Sequence, residues 1–251
     1  MKIIISPAKK MNTDNDFLGH QQLPVFLEKT EILLSYLKSL PYENLKKLLA
    51  CNDQIAQLNF ERYQEMDLRN KLTPALLAYE GIQYQYMSPS VFTVEEFDYV
   101  QRNLRILSGF YGILRPMDGV TPYRLEMQAK LKTEFCKNLY DFWKDSLYQS
   151  LKKEDDVLIN LASAEYSKAV LPHVKHSMRV ITPIFGEWVR EEIKEKGVYV
   201  KMARGEMVRF LAQHNATSPE VMKDFDRLHY RYYPEYSDEQ TWVFLREPVK
   251  E

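Results

Sequence analysis

The 251-residue chain predicts an α+β fold, a mixed β-sheet with surrounding helices. Short apolar runs that read as strands occur near both ends and in the middle, and amphipathic helical stretches separate them. The two types do not alternate regularly enough for a doubly wound sheet. No linker, repeat or low-complexity tract interrupts the chain, so residues 1–251 read as a single domain.

Taken in order, Lys2 to Ser6 is an apolar strand halted by Pro7, which cannot donate to a sheet. Phe26 to Leu40 has Phe26, Leu27, Leu33, Leu34, Leu37 and Leu40 at helical spacing. Glu43 to Met66 reads as short helices joined by tight turns, anchored by Leu45, Leu48, Leu49, Ile55 and Leu58. Leu76 to Met87 is rich in aromatics and reads as extended. Thr93 and Glu96 form a capping box that opens a helix expected to run to Leu107 and end near Ser108-Gly109. Leu139 to Leu151 is a further amphipathic helix. Val157 to Leu161, Arg179 to Phe185 and Gly197 to Met202 read as strands, the last followed by a helix from Ala203 to His214. Ser218-Pro219-Glu220 opens a short helix, and Trp242 to Leu245 is a closing strand.

The formal net charge is −1, so no global field draws the molecule to a polyanion and any such site must be local. Charge is segregated along the chain. Gln101–Leu131 and Asn160–Asn215 each carry a net +3, while Ala216–Glu251 carries −3. Cys51 and Cys136 are isolated from one another, which argues for a reducing compartment, and one chain lacks the four thiolates of an iron–sulfur cluster. Ile3-Ile4-Ile5 is too short for a signal-peptide core and no apolar run approaches a membrane span, so a cytoplasmic protein without a membrane partner is expected.

Leu104 to Met127 places Arg105, Arg115 and Arg124 in a segment punctuated by Gly109, Gly112, Gly119, Pro116 and Pro122. Three guanidiniums there suit a surface that grips anions, or they pair with acids such as Asp118 and Glu126. Two strands end in similar polar sets, Ser6-Pro7-Ala8-Lys9-Lys10 and Ala162-Ser163-Ala164-Glu165-Tyr166-Ser167-Lys168. Strand ends hold donors still, so Ser6 and Ser163 can donate hydrogen bonds while Lys9 and Lys168 supply charge, although Ser163, a standard cap residue, better suits the start of a helix near Ala164. Lys201 just precedes the expected 203–214 helix and Arg204 and Arg209 fall on its first turns, where an anion would relieve the conflict of these cations with the helix dipole. Pairing of Arg209 with Glu206 competes with that role.

Catalytic patterns are weak. No glycine-rich phosphate loop or nucleophile elbow appears, and Gly109-Phe110-Tyr111-Gly112 matches the spacing of a GXXG loop without its context. His173 and His176 lack nearby cysteines, so no metal or cofactor is expected. No catalytic residue is assigned, and a non-enzymatic protein is favoured.

Ile4-Ser6-Pro7-Ala8-Lys9, Leu107 to Asp118, Pro122 to Met127, Asn160 to Tyr166 and Ala203 to Phe210 together resemble the YaaA family of bacterial peroxide-stress proteins. The resemblance spans nearly the whole chain, and the long run from Ser108 to Met127 is its most specific part. It implies a cytosolic protein of the peroxide response that limits iron- and peroxide-dependent damage. It also implies binding of duplex or branched DNA, largely independent of sequence, through a positively charged cleft with a helix-hairpin-helix element. That element would fall in 45–66, around Ile55 to Arg62, where Gln57 and Asn59 stand in place of the usual glycines. The residues expected to meet DNA phosphates are Ser6, Lys9, Arg105, Ser108, Arg115, Arg124, Ser163, Lys168, Lys201, Arg204 and Arg209. Two other functions compete. One is an enzyme acting on a small phosphorylated or nucleotide-like substrate, with Glu165 as acid or base and Tyr123 or Tyr166 stacking. The other is direct handling of iron.

Overall fold

In the computed structural model, which describes residues 1–13 and 18–247, Ile3, Ile4 and Ile5 are wholly buried. A strand covered on both faces needs apolar side chains at consecutive positions rather than alternate ones. This run is β1 (Lys2–Ile5), followed by β2 (Leu104–Ser108), β3 (Gly112–Leu114) and β4 (Val157–Leu161). Further along come β5 (Arg179–Val189), β6 (Glu192–Lys194), β7 (Tyr230–Tyr232) and β8 (Thr241–Arg246). The strand order is β7-β8-β5-β4-β1-β2-β3, with β6 paired to β5. The five central strands, β8 to β2, are mutually parallel. Antiparallel β7, β3 and β6 complete the sheet, which is therefore mixed, as the sequence predicts.

Besides a single turn at Ala75–Ala78 and several 3-10 turns, the helices are α1 (Leu27–Ser39), α2 (Tyr42–Leu49), α3 (Asp53–Glu65), α4 (Ile82–Met87) and α5 (Val94–Asn103), then α6 (Leu139–Trp143), α7 (Ser146–Lys152), α8 (Ala164–Ser167) and α9 (Gly197–Gln213). One continuous apolar cluster joins sheet and helices from Ile3 to Phe244. Among the described residues, no helix is long and apolar enough to cross a membrane.

Several elements depart from expectation. The capping box forms, with Glu96 N–H on Thr93 Oγ1 at 3.2 Å and Thr93 N–H on Glu96 Oε2 at 2.7 Å. The helix nevertheless ends at Asn103, and Leu104–Ser108 pairs with β1 as a strand. Gly197 to Met202 is no strand but the first part of α9, which packs along α4. Leu76 to Met87 is not extended, because it holds a short helix (Ala75–Ala78) and α4. The 139–151 helix breaks at Lys144, whose φ is 46°. Residues 55–62, expected to carry the hairpin, lie inside α3. The turn is Ala50-Cys51-Asn52 instead, with Ala50 left-handed and Asn52 Oδ1 accepting the Ile55 N–H at 3.0 Å.

Gly109 to Gly112 is the buried tip of the β2–β3 hairpin rather than an exposed loop, which removes any GXXG role in ligand contact. Trp143 Nε1 donates to the Gly109 carbonyl at 3.1 Å, and a Cβ on Gly112 (φ 77°) would sit 2.7 Å from the Trp143 ring.

Candidate functional site: a cation-rimmed hollow at the strand ends

Because β1, β2 and β4 run parallel, their carboxyl ends open on one edge of the sheet, where ligand sites of such sheets gather. Two serines tie β1 to β4 there. Ser163 N–H donates to Ser6 Oγ at 2.8 Å, and Ser6 Oγ donates to Ser163 Oγ at 3.1 Å. Ser163 does begin α8, but its hydroxyl makes no capping bond. Tyr84 OH, from α4, donates to the Ser6 carbonyl at 3.0 Å.

Above the serines lies a hollow of about 420 Å³. The loop after β1 supplies Lys9, the segment after β3 supplies Arg124 and Glu126, α8 supplies Glu165, and α9 supplies Lys201 and Arg204. Glu126 is shared by Lys9 at 2.6 Å and Arg124 at 3.4 Å. Glu165 Oε1 accepts the Gln128 N–H at 3.2 Å. Burial, reinforced by the Glu126 charge, pushes the Glu165 carboxyl above its ordinary value, although the Gln128 bond and Lys9 oppose the shift. Tyr84, Tyr123 and Tyr166 give the hollow aromatic walls.

Lys201 and Arg204 stand one turn apart on α9, and among the described residues neither has an ion-pair partner. The Arg204 Nε is buried and without a hydrogen-bond partner. Burial draws its guanidinium pKa down, yet an arginine keeps its charge at neutral pH. Arg204 lies in the interior of α9, so no helix N-terminus contributes here.

A groove of about 720 Å³ adjoins the hollow across Glu165. Lys130, Lys132, Lys137 and Lys168 line it, all exposed and, among the described residues, none in an ion pair. Lys168 Nζ lies 5.2 Å from the Tyr140 ring centroid.

Of the eleven residues singled out from the sequence, Ser6, Lys9, Arg124, Ser163, Lys201 and Arg204 converge on the hollow, and Lys168 lines the groove. Four do not belong. Ser108 is fully buried, 2.5 Å from Tyr123 OH, and accepts the N–H groups of Phe110 and Tyr111. Arg105 and Arg115 line a separate cavity of about 180 Å³ with Asp118 and Glu154. Arg105 is held by Glu154 through Nε–Oε1 at 3.1 Å, because a charge buried inside a sheet requires a counter-charge. Arg209 is half-buried on α9 and lines neither hollow nor groove. Lys130, Lys132 and Lys137 are additions. Their sequence signal is the Lys-X-Lys spacing followed by an aromatic, Tyr140.

Asp118 carries its own consequence. Burial pushes its carboxyl up to about 6 although Arg115 N–H (2.9 Å) and Gln22 Nε2 (2.7 Å) donate to it. Its unfolded value is about 3.9, so between those two values the folded state binds more protons and stability falls as pH rises. The loss is on the order of 2–3 kcal/mol, complete above the folded value. Thermal melts from about pH 4 to 7 should show Asp118→Asn lacking this component. A wild-type-minus-variant difference that stays flat across the window would show that Asp118 does not titrate there.

Fold and site define an α+β protein with a cation-rimmed hollow at the carboxyl ends of its parallel strands. Residues 1–236 match the family model described as peroxide stress protein YaaA, and the chain belongs to that family. It is 58% identical over 246 residues to a UPF0246 protein of Desulfitobacterium hafniense (strain Y51), covering 98% of each chain. It is 52% identical to UPF0246 proteins of Agathobacter rectalis and Lachnoclostridium phytofermentans, covering 98% of this chain and 99% and 96% of theirs.

Proposed function

We propose that the protein binds DNA, duplex or branched and largely independently of sequence, and thereby limits peroxide- and iron-dependent damage. The observation that carries this reading is a set of cations that, among the described residues, have no carboxylate partner. Lys130, Lys132, Lys137, Lys168, Lys201 and Arg204 come from separate segments and face two adjoining depressions on a chain of net charge −1. Unpaired cations on a near-neutral protein are the footprint of a local polyanion site. The α2–α3 helical hairpin borders the same region, since Tyr63 OH of α3 donates to the Arg124 carbonyl at 2.8 Å. It is the element proposed here as a helix-hairpin-helix contact to the DNA backbone.

Anisotropy titration of duplex and four-way-junction DNA from about 50 to 200 mM salt tests the reading. The logarithm of affinity should fall linearly with that of salt. Replacing Lys130, Lys132, Lys137 and Lys168 by Gln should flatten the slope by roughly 3 to 4. Absence of binding at low salt, or an unaltered slope in the variant, would count against it.

A second reading, an enzyme acting on a small phosphorylated or nucleotide-like substrate, is favoured by Glu165 with its raised pKa beside a hollow of small-molecule size. Its test is turnover, or thermal stabilisation by nucleoside monophosphates, without DNA.

A further inference from the structure

The lower wall of the hollow holds more hydrogen-bond donors than the protein satisfies. Gln83 of α4 is 8% exposed, and among the described residues neither end of its amide has a partner. Arg204 of α9 makes no hydrogen bond there either, and its buried Nε leaves the terminal fork as the accessible part. Arg124 commits Nη2 to Glu126 at 3.4 Å, while its Nε is also buried without a partner. Ser163 Oγ receives the Ser6 proton and makes no capping bond, so its own proton lacks an acceptor among the described residues. All four side chains line the one hollow.

Exposed lysines of the groove are satisfied by water, but enclosed donors are not, and each such donor in a folded protein asks for an acceptor. The carboxylates nearby are engaged, Glu126 by Lys9 and Arg124 and Glu165 by the Gln128 N–H. Depth sets the direction of entry. The Arg124 and Glu126 side chains are 15% and 17% exposed, against 41% for Glu80 and 68% for Lys9. Guanidinium groups therefore lie deep, and the anionic end of a ligand enters first. A phosphodiester within a strand carries chain on both sides and cannot be lowered in this way. A terminal phosphate has one substituent and three free oxygens, which suit donors converging from separate segments. Nothing here stacks a base, because Tyr84, Tyr123 and Tyr166 are 4%, 5% and 7% exposed. Tyr84 and Tyr123 already pack on Tyr79 and Phe110 at 5.5 and 5.0 Å between centroids. Glu80 and Glu165 nearer the mouth accept hydrogen bonds from hydroxyls.

We propose that the hollow binds a small hydroxylated phosphate monoester, such as a free sugar phosphate, with its phosphate inward on Arg204, Arg124, Gln83 and Ser163. This rests on the second reading above, a small phosphorylated substrate, and narrows it to a compound without a nucleobase. A volume of about 420 Å³ fits a molecule of that size.

Thermal melts and calorimetric titration with ribose-5-phosphate, ribose, inorganic phosphate and adenosine monophosphate test it. Ribose-5-phosphate should stabilise the protein and ribose should not. Inorganic phosphate should bind more weakly, and adenosine monophosphate no more tightly, than ribose-5-phosphate. Gln83→Leu should raise the Tm of the free protein, since it removes an unmet buried amide, yet weaken ribose-5-phosphate about tenfold. A purely structural role for Gln83 would not give these opposite signs. Arg204→Lys keeps the charge, loses the fork and should also cost about tenfold, with the melt verifying its fold. Ribose-5-phosphate affinity unchanged in both folded variants, or matched by inorganic phosphate, overturns this inference. Adenosine monophosphate binding about tenfold more tightly than ribose-5-phosphate overturns it and leaves the second reading standing. Stabilisation by none of the phosphates overturns both.

Discussion

Gly205→Ala is expected to destabilise the protein by about 2–3 kcal/mol, seen as a fall in Tm of about 5–10 °C. Local propensity predicts the opposite, since alanine in a helix interior is worth about 1 kcal/mol over glycine. Contact geometry decides the sign. A Cβ at 205 would lie 2.1 Å from the Gln83 carbonyl oxygen and 3.0 Å from the Met87 nitrogen, both backbone atoms of α4. Backbone cannot rotate aside, so α9 must move away from α4. Lys201 and Arg204 ride on α9, while Tyr84 of α4 holds the Ser6 carbonyl, so the hollow widens along its cationic wall. If the DNA-binding proposal holds, affinity for DNA should fall with stability. An unchanged or higher Tm in a calorimetric melt would show that the two helices are not in this close contact.

The sequence carried much of this arrangement, and what it missed has physical causes. β1, β4 and β8 were legible because strands buried on both faces leave uninterrupted apolar runs, and the Thr93 box was legible because a cap is local chemistry. β2 was hidden because Leu104 and Leu107 satisfy a helical spacing, and Arg105 between them disguises a buried strand. Only its pairing with β1, about a hundred residues away in the chain, settles the matter. Val198, Tyr199 and Val200 suggest a strand by propensity, yet packing on α4 makes them the start of α9. In the site, Ser6, Lys9 and Ser163 were found from their places at strand ends. Lys130, Lys132 and Lys137 were missed because 128–138 has no regular repeat to show which side chains share a face.

Arg105→Ala is the counterpart to the groove variants, a cation whose removal should cost stability and leave DNA affinity and its salt slope intact. Arg105 is 4% exposed, and its guanidinium donates to the Gln101 and Leu104 carbonyls at 3.1 and 2.6 Å and is forked onto Glu154. Breaking a buried pair typically costs about 3–5 kcal/mol. Glu154 is partly open to solvent and keeps Lys2 at 3.0 Å, which reduces the expected loss to about 2–3 kcal/mol. Burial acts to raise the Glu154 carboxyl, but the bonds and charges of Arg105 and then Lys2 outweigh it and hold the pKa below its ordinary value. An acid depressed in this way contributes stability above its unfolded value of about 4.3 that is lost as pH falls through the folded one. Acid melts should therefore be steeper for the wild type than for Arg105→Ala. The lysine variants should do the reverse, flattening the salt dependence of binding without altering the acid melt. If Arg105→Ala melts like the wild type yet binds DNA more weakly, its guanidinium faces the nucleic acid rather than the interior, and the division drawn between structural and ligand-facing cations fails.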